Sequence, residues 1–202
     1  MSSTNRKGNN PRRATLDYYP TPAWAVHRLL EVLQLPGGKW FEPCAGDGAI
    51  MKAVQEVRKD VTWVANEIQP EMKEKLEKIQ GVTSVTSADF LKMSMDDLPE
   101  HKVIITNPPF NLAMECIQQS FGLHADYVVF LLRLNFLASK SRAKFMHENT
   151  PDVYVLSQRP RFTSNGGCDS IDYAWFVWSP SRLPLHAPGK LIIVPGKDKA
   201  EL

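Results

Sequence analysis

Asn107-Pro108-Pro109-Phe110 is the stretch of this 202-residue chain with the clearest capacity for chemistry. A residue before proline is held extended, and proline has no N–H to donate, so the corner is stiff. It offers acceptors, the Asn107 side-chain oxygen and main-chain carbonyls, next to the flat ring of Phe110. Two acceptors can hold both N–H bonds of a planar amine or an amide and turn its nitrogen lone pair toward an electrophile. The ring then stacks on the conjugated system. The same four residues also make an ordinary strand-ending turn, so their neighbours must decide.

Three other stretches carry groups suited to a ligand. In Glu42-Pro43-Cys44-Ala45-Gly46-Asp47-Gly48 the Gly-Asp-Gly is half of a dinucleotide fingerprint, but Met51 stands where the third glycine belongs. No Gly-Lys-Ser/Thr follows, so a nucleoside triphosphate is not indicated. Glu67 suits the two hydroxyls of a ribose, with capping of the helix opened by Pro70 as the competing role. Asp89 can accept from an adenine amine and Phe90 can stack on its ring. Together these favour a ligand with ribose and adenine but no phosphate. Cys44 sits in the cofactor strand, not on the Asn-Pro-Pro corner, and reads as a buried thiol rather than a cytosine-C5 nucleophile.

The elements that position these groups follow from periodicity and breakers. Thr21 and Pro22 predict the N-cap and first position of a helix over 23–33, which Pro36-Gly37-Gly38 ends. Strands are predicted at 39–42, 61–68, 82–86, 103–106, 127–132, 153–156 and 173–178, with 191–194 as a candidate short edge strand. Helices are predicted at 49–57, 70–79, 112–121 and 139–147. Strands alternating with helices give a parallel sheet with right-handed crossovers, and ligands bind such sheets at the carboxyl ends of the strands. Glu42 to Gly48, Glu67, Asp89-Phe90 and Asn107 to Phe110 all fall at those ends.

Composition sets the outer bounds. Hydrophobic content of 43% and charged content of 23% are those of an ordinary globular chain. The expected division is a flexible basic arm over 1–14 and one domain over 15–202. Three well-separated cysteines (Cys44, Cys116, Cys168) and five scattered histidines predict reduced thiols, a cytoplasmic setting and no metal. No membrane-spanning run or signal-peptide core is read. The net charge of +2 conceals an asymmetry. Arg6, Lys7, Arg12 and Arg13 open the chain without an acid. Arg133, Lys140, Arg142, Lys144, Arg159 and Arg161 follow the Asn-Pro-Pro corner against only Glu148 and Asp152. A polyanion is the partner such segments would hold.

In this order the motifs resemble the S-adenosylmethionine-dependent DNA methyltransferases that modify the exocyclic amine of adenine, especially small phage or prophage members. The resemblance covers about residues 17–178. It rests on Asp17-Tyr18-Tyr19-Pro20-Thr21-Pro22, Glu42-Pro-Cys-Ala-Gly-Asp-Gly48, Glu67, Asp89-Phe90 and Asn107-Pro-Pro-Phe110. It implies a Rossmann-like class I methyltransferase fold: a mostly parallel seven-stranded sheet with one antiparallel strand near an edge and helices on both faces. Tyr18, Tyr19 and Thr21 would contact the methionine end of S-adenosylmethionine, and Glu42 the loop around its amino group. Ala45, Gly46 and Gly48 would form the backbone that approaches it, Glu67 would hold the ribose, and Asp89 with Phe90 the adenine. Asn107, Pro108, Pro109 and Phe110 would be catalytic, with Asn107 also among the residues that line the cofactor. DNA would supply a flipped or single-stranded adenine, within a short or relaxed target sequence since the chain has no room for a large recognition region. Related Asn-Pro-Pro-aromatic turns also serve RNA bases and a protein glutamine amide, and a silent nucleic-acid-binding module is the reading from another class.

Overall fold

The computed structural model describes residues 20–162, 171–180 and 189–196. Within them, five helices and eight strands are ordered α1 (Ala23–Val32), β1 (Gly38–Glu42), α2 (Ala49–Val57), β2 (Val61–Asn66), α3 (Lys73–Glu77), β3 (Val82–Thr86), β4 (Val103–Thr106), α4 (Ala113–Gly122), β5 (Tyr127–Arg133), α5 (Ala143–Glu148), β6 (Asp152–Leu156), β7 (Tyr173–Trp178) and β8 (Leu191–Val194). They form one sheet in the order β3-β2-β1-β4-β5-β7-β6-β8. Among these strands only β7 runs antiparallel to its neighbours. The predicted α/β class, with a mostly parallel sheet and helices on both faces, is the class observed.

Strict alternation in the buried strands assigns each side chain to a face. Trp40, Val103, Ile105, Val129, Leu131 and Trp175 join α1 and α2 in one core. Phe41, Ile104, Val128, Phe130, Leu132 and Phe176 join α4 in the other. Strands covered on both faces are apolar along most of their length, which is why residues 103–105 of β4 and 127–132 of β5 read as apolar runs. Large aromatic side chains fix distant elements to each other. The Trp175 indole donates to the Ala25 carbonyl at 3.0 Å, tying β7 to α1, and Trp40 meets Trp63 edge-on at 5.6 Å.

Several expectations need correction. The sheet of the described residues has eight strands, not seven, because Leu191–Val194 pairs in parallel with β6 and becomes the outer strand. The helix expected over 70–79 is a 3-10 turn at Pro70–Met72 followed by the five residues of α3. The basic helix expected over 139–147 shrinks to Ala143–Glu148, since a 3-10 turn at Leu134–Leu137 and the Ser139–Arg142 turn take up the preceding chain. The second strand stops at Asn66, whose side chain bonds to neighbouring loops in place of continuing the ladder. Thr21 makes no cap. Pro22 occupies the N-cap position of α1 without a side-chain hydrogen bond, and the Thr21 hydroxyl is engaged elsewhere.

Candidate active site

The strand order reverses between β1 and β4. One chain half winds outward through β2 and β3, the other through β5, which leaves a crevice above the carboxyl ends of β1 and β4. Parallel pairing of Trp40 with Val103 and Phe41 with Ile104 brings the ends of those strands, Glu42 and Thr106-Asn107, to the same rim.

On the β1 side the loops are fastened to each other. Glu67, 6% exposed, accepts the Gly46 N–H at 2.7 Å on one carboxylate oxygen and the Gln69 N–H at 3.1 Å on the other. A carboxylate has about four acceptor sites, so two hydroxyl donors can still be served. Asn66 is the fastener that sequence reasoning missed. Its amide donates to the carbonyls of Pro43 and Ala88, at 3.0 and 3.1 Å, and its oxygen accepts from the Thr86 hydroxyl and the Ala88 N–H, at 2.9 and 3.0 Å. One side chain thus joins the loops after β1 and β3. The only sequence signal is a polar residue closing an otherwise buried strand.

Glu42 is 2% exposed, and its Oε2 has no hydrogen-bond partner among the described residues. Burial first, then the nearby charges of Asp47 and Glu67, pushes its carboxyl well above the usual range; the Met51 N–H and Lys52 offset this in part. The Asp47 Oδ1 and Thr106 Oγ1 atoms are also buried and unpartnered among the described residues. Thr106 follows Ile105 and so points to the opposite face of the sheet from Glu42, but Asp47 is close enough to act on the Glu42 charge. Buried polar atoms are normally satisfied, so the Glu42 and Asp47 oxygens mark where a donor-bearing, cationic group fits. An ammonium group beside a methionine-like chain has that chemistry.

The glycines divide the work. Gly46 has φ +54°, in the left-handed region, and its N–H faces Glu67. Gly48, with φ +77°, is required by packing: a Cβ there would run into Ile79, with the Met51 and Leu76 side chains close behind. It seats the start of α2 against Leu76 of α3 and Ile79 beyond it, a role besides the close approach to a ligand expected for it. Ala45 is buried, and its N–H donates to the Asn66 carbonyl.

Asp89 and Phe90 separate. The Asp89 side chain accepts from the Leu91 N–H, lies 3.2 Å from the Lys92 ammonium and is 39% exposed. Phe90 is a core residue, 5% exposed and edge-on to Phe41. The structure therefore brings Asp89 to the rim but leaves the Phe90 ring beneath it.

On the β4 side the Asn107 amide donates to the Thr21 hydroxyl at 3.2 Å, a contact across 86 residues. Pro108 is buried and Pro109 exposed. Phe110 opens the 3-10 turn that leads into α4. Its ring meets Tyr173 at 5.7 Å, and the Arg133 guanidinium lies 4.6 Å from its centroid. Tyr18 and Tyr19 lie outside the described residues, as do the 1–14 arm and Cys168. The Cys44 thiol hydrogen-bonds with Cys116, and that contact together with burial raises its pKa, which suits an unreactive thiol.

The six basic residues of the 133–161 segment do not form one free patch. Arg142 folds back, with its Nε donating to the Phe136 carbonyl at 2.9 Å. Arg159 pairs with Asp172 at 2.8 Å, and Lys144 lies 3.9 Å from Glu148. Lys140 and Arg161 are exposed, and Arg133 is half-buried. Among the described residues no group of His, Cys, Asp and Glu is placed to hold a metal, and no helix is long and apolar enough to cross a membrane.

No protein-family model and no curated protein sequence matches this chain. Solved structures do. A protein of Pyrococcus horikoshii assigned as an RNA methyltransferase is 14% identical with a TM-score of 0.63, over 86% of this chain and 91% of that one. An Agrobacterium tumefaciens protein assigned as an O-methyltransferase is 18% identical with a TM-score of 0.60, over 87% and 86%. The 23S rRNA methyltransferase ErmE is 18% identical with a TM-score of 0.58, over 79% and 68%. Across that span the chain has the fold of the S-adenosylmethionine-dependent methyltransferases.

Proposed function

We propose that this protein transfers the methyl group of S-adenosylmethionine to the exocyclic N6 amine of adenine in DNA, within a short or relaxed target sequence. The observation that carries the reading is what the reversal of strand order brings together. A buried carboxyl at the end of β1, one of whose oxygens has no partner among the described residues, stands across one strand boundary from an Asn-Pro-Pro-Phe corner whose amide donates to Thr21. The first suits a cationic amino-acid end, and the second a planar amine.

The sulfonium supplies an activated methyl group, so the protein's task is orientation. Glu42 receives the ammonium of the methionine end, and Glu67, already holding two loops, accepts the ribose hydroxyls. Asp89 accepts from the adenine amine at the outer rim. Tyr18, Tyr19 and Thr21 are the residues assigned to contact the methionine end. In the acceptor half, the Asn107 oxygen and the Pro108 carbonyl take the two N–H bonds of the target amine, and Phe110 supports its ring. Those bonds localise a lone pair otherwise conjugated into the base and aim it along the methyl–sulfur axis. The N–C bond forms as the C–S bond breaks, and the acidified amine gives its proton to solvent. Holding two reactants in line is worth effective molarities on the order of 10⁵ M or more. No strong base is required.

RNA is the second reading, favoured by neighbours in fold named as RNA methyltransferases. Tritium transfer from labelled cofactor to DNA, RNA and protein, followed by nucleoside analysis, separates them. Label in N6-methyladenine of DNA is the expected result. Label confined to RNA selects the second reading, and label in protein or in none of the three defeats both.

A further inference from the structure

A count of charge places Arg133 among the residues that meet phosphate, yet its surroundings are those of an aromatic slot. It is the last residue of β5, paired in register with Tyr173 on β7, and both touch Phe110. We propose that Arg133 is the resident occupant of the acceptor slot. In the free protein its guanidinium lies on the Phe110 face where the target base stacks, and it leaves when the base enters. This rests on the reading of the Asn107 corner as the amine-holding site.

Topology supplies the first reason. Of the groups assigned to the methyl donor, Glu42 closes β1 and Glu67 and Asp89 follow β2 and β3, while Thr21 precedes α1 and Asn107 follows β4. In-line transfer requires the acceptor to come from the far side of the methyl group, which is the β5 side. Arg133 stands there. Space supplies the second. The guanidinium carbon is 4.6 Å from the Phe110 centroid, and a stacked base would place its atoms about 3.5–4.0 Å from the ring. The two cannot share one layer.

Arg142 supplies the third reason, by contrast. It also lies over a ring, 4.2 Å from Phe136, but its Nε and Nη2 donate to the carbonyls of Phe136 and Asn135. Arg142 is locked. The Nε of Arg133 is buried and has no partner among the described residues. A buried donor without an acceptor carries a standing penalty, so moving Arg133 off the ring gives back part of what leaving the ring costs. An arginine held this way closes the slot to stray flat molecules and still yields to a base that Asn107 can also grip.

The test uses a nucleoside, which has no phosphate. Binding of 2-aminopurine riboside is followed by the quenching of its emission on stacking, with the cofactor site filled by S-adenosylhomocysteine. Arg133→Ala is expected to tighten that binding by about 2- to 30-fold, the range spanned by one cation–π contact. Arg133→Gln, which keeps more of the packing, should move it the same way. S-adenosylhomocysteine affinity should match wild type in both, which shows that they are folded, and whichever variant meets that standard decides. Unchanged or weaker nucleoside binding, or no binding to either protein, overturns the assignment. A salt slope for polynucleotide binding that falls by about one with unchanged nucleoside binding makes Arg133 a phosphate contact instead. If wild type and variant both methylate nucleic acid while nucleoside affinity stays level, only the Arg133 assignment falls. If wild type labels no nucleic acid, the parent reading falls and takes this one with it.

Discussion

The two halves of the crevice are built differently. On the β1–β3 side, Asn66 and Glu67 knit three loops together with short hydrogen bonds, and the glycines are set by packing and backbone conformation. On the β4–β5 side the corner is stiff, and the contacts of its side chains among the described residues include an amide–hydroxyl bond of 3.2 Å and ring contacts of 4.6 and 5.7 Å. A donor side knit by hydrogen bonds facing an acceptor side that includes ring contacts suits a protein that binds the same small molecule in each cycle yet admits one unit of a polymer. Ring contacts can be exchanged at low cost, whereas buried hydrogen-bond networks cannot.

The sharpest way to break that comparison is Asn107→Ala. It removes an acceptor aimed at the reacting nitrogen and nothing from the β1–β3 network. Methyl transfer should fall by at least about 10²–10³-fold, the usual cost of one positioned polar group, while cofactor affinity stays nearly level. Single-turnover kinetics with a parallel binding titration reads both. Retained turnover would show that the corner is only a turn.

Asn66→Ala addresses the opposite half. It leaves the Pro43 and Ala88 carbonyls and the Ala88 N–H without the partner they now share. Stability should drop by roughly 3 kcal/mol, with cofactor affinity falling because the loops after β1 and β3 come apart. Urea unfolding with and without S-adenosylhomocysteine measures both. A loss of less than about 1 kcal/mol would mean that the network is not what fastens the loops.

Glu42→Gln should act in two directions. The Glu42 carboxyl holds its proton more tightly in the folded chain than in the unfolded one. Its contribution is therefore fully present below the ordinary glutamate value of about 4.3 and is lost as pH rises toward the raised folded value. Glutamine removes that slope, so the variant should be the more stable protein at neutral pH. Cofactor affinity should weaken by about 10- to 100-fold, the worth of a hydrogen bond to a charged group. Thermal unfolding across pH 4–8 and a binding titration check the pair of signs. A variant that loses both stability and affinity would assign Glu42 to the scaffold.

How much of this is legible in the chain depends on the range of the forces involved. The apolar runs of β4 and β5 and the Asn-Pro-Pro break are local, and they locate the corner and the sheet without help from elsewhere. Thr21 misleads because its neighbours describe a helix cap, while its partner lies 86 residues away. Asn66 escapes notice for the same reason: its four bonds run to loops about 20 residues off in either direction. Gly48 carries a packing role that its neighbours in the chain do not announce, since only the fold brings Ile79 beneath it. The eighth strand lies outside the resemblance, which counts seven.

Counting charge along the 133–161 segment treats six cations as equivalent, and the fold separates them, which yields the smallest effect expected here. Lys140 and Arg161 are exposed, whereas Arg159 is committed to Asp172 at 2.8 Å. If the segment tracks a polyanion, Lys140→Ala and Arg161→Ala should each flatten the salt dependence of DNA binding by about 0.9 in log–log slope for every phosphate no longer neutralised. Arg159→Ala should leave that slope in place and cost no more than about 0.5 kcal/mol of stability, because both partners are about half exposed and screened. Equal slopes for all three variants would return the segment to a uniform basic face. A slope that moves only with Lys140 and Arg161 would show that the acceptor side recruits its polymer through the cations the fold leaves uncommitted, and would separate recruitment from the slot where Arg133 sits.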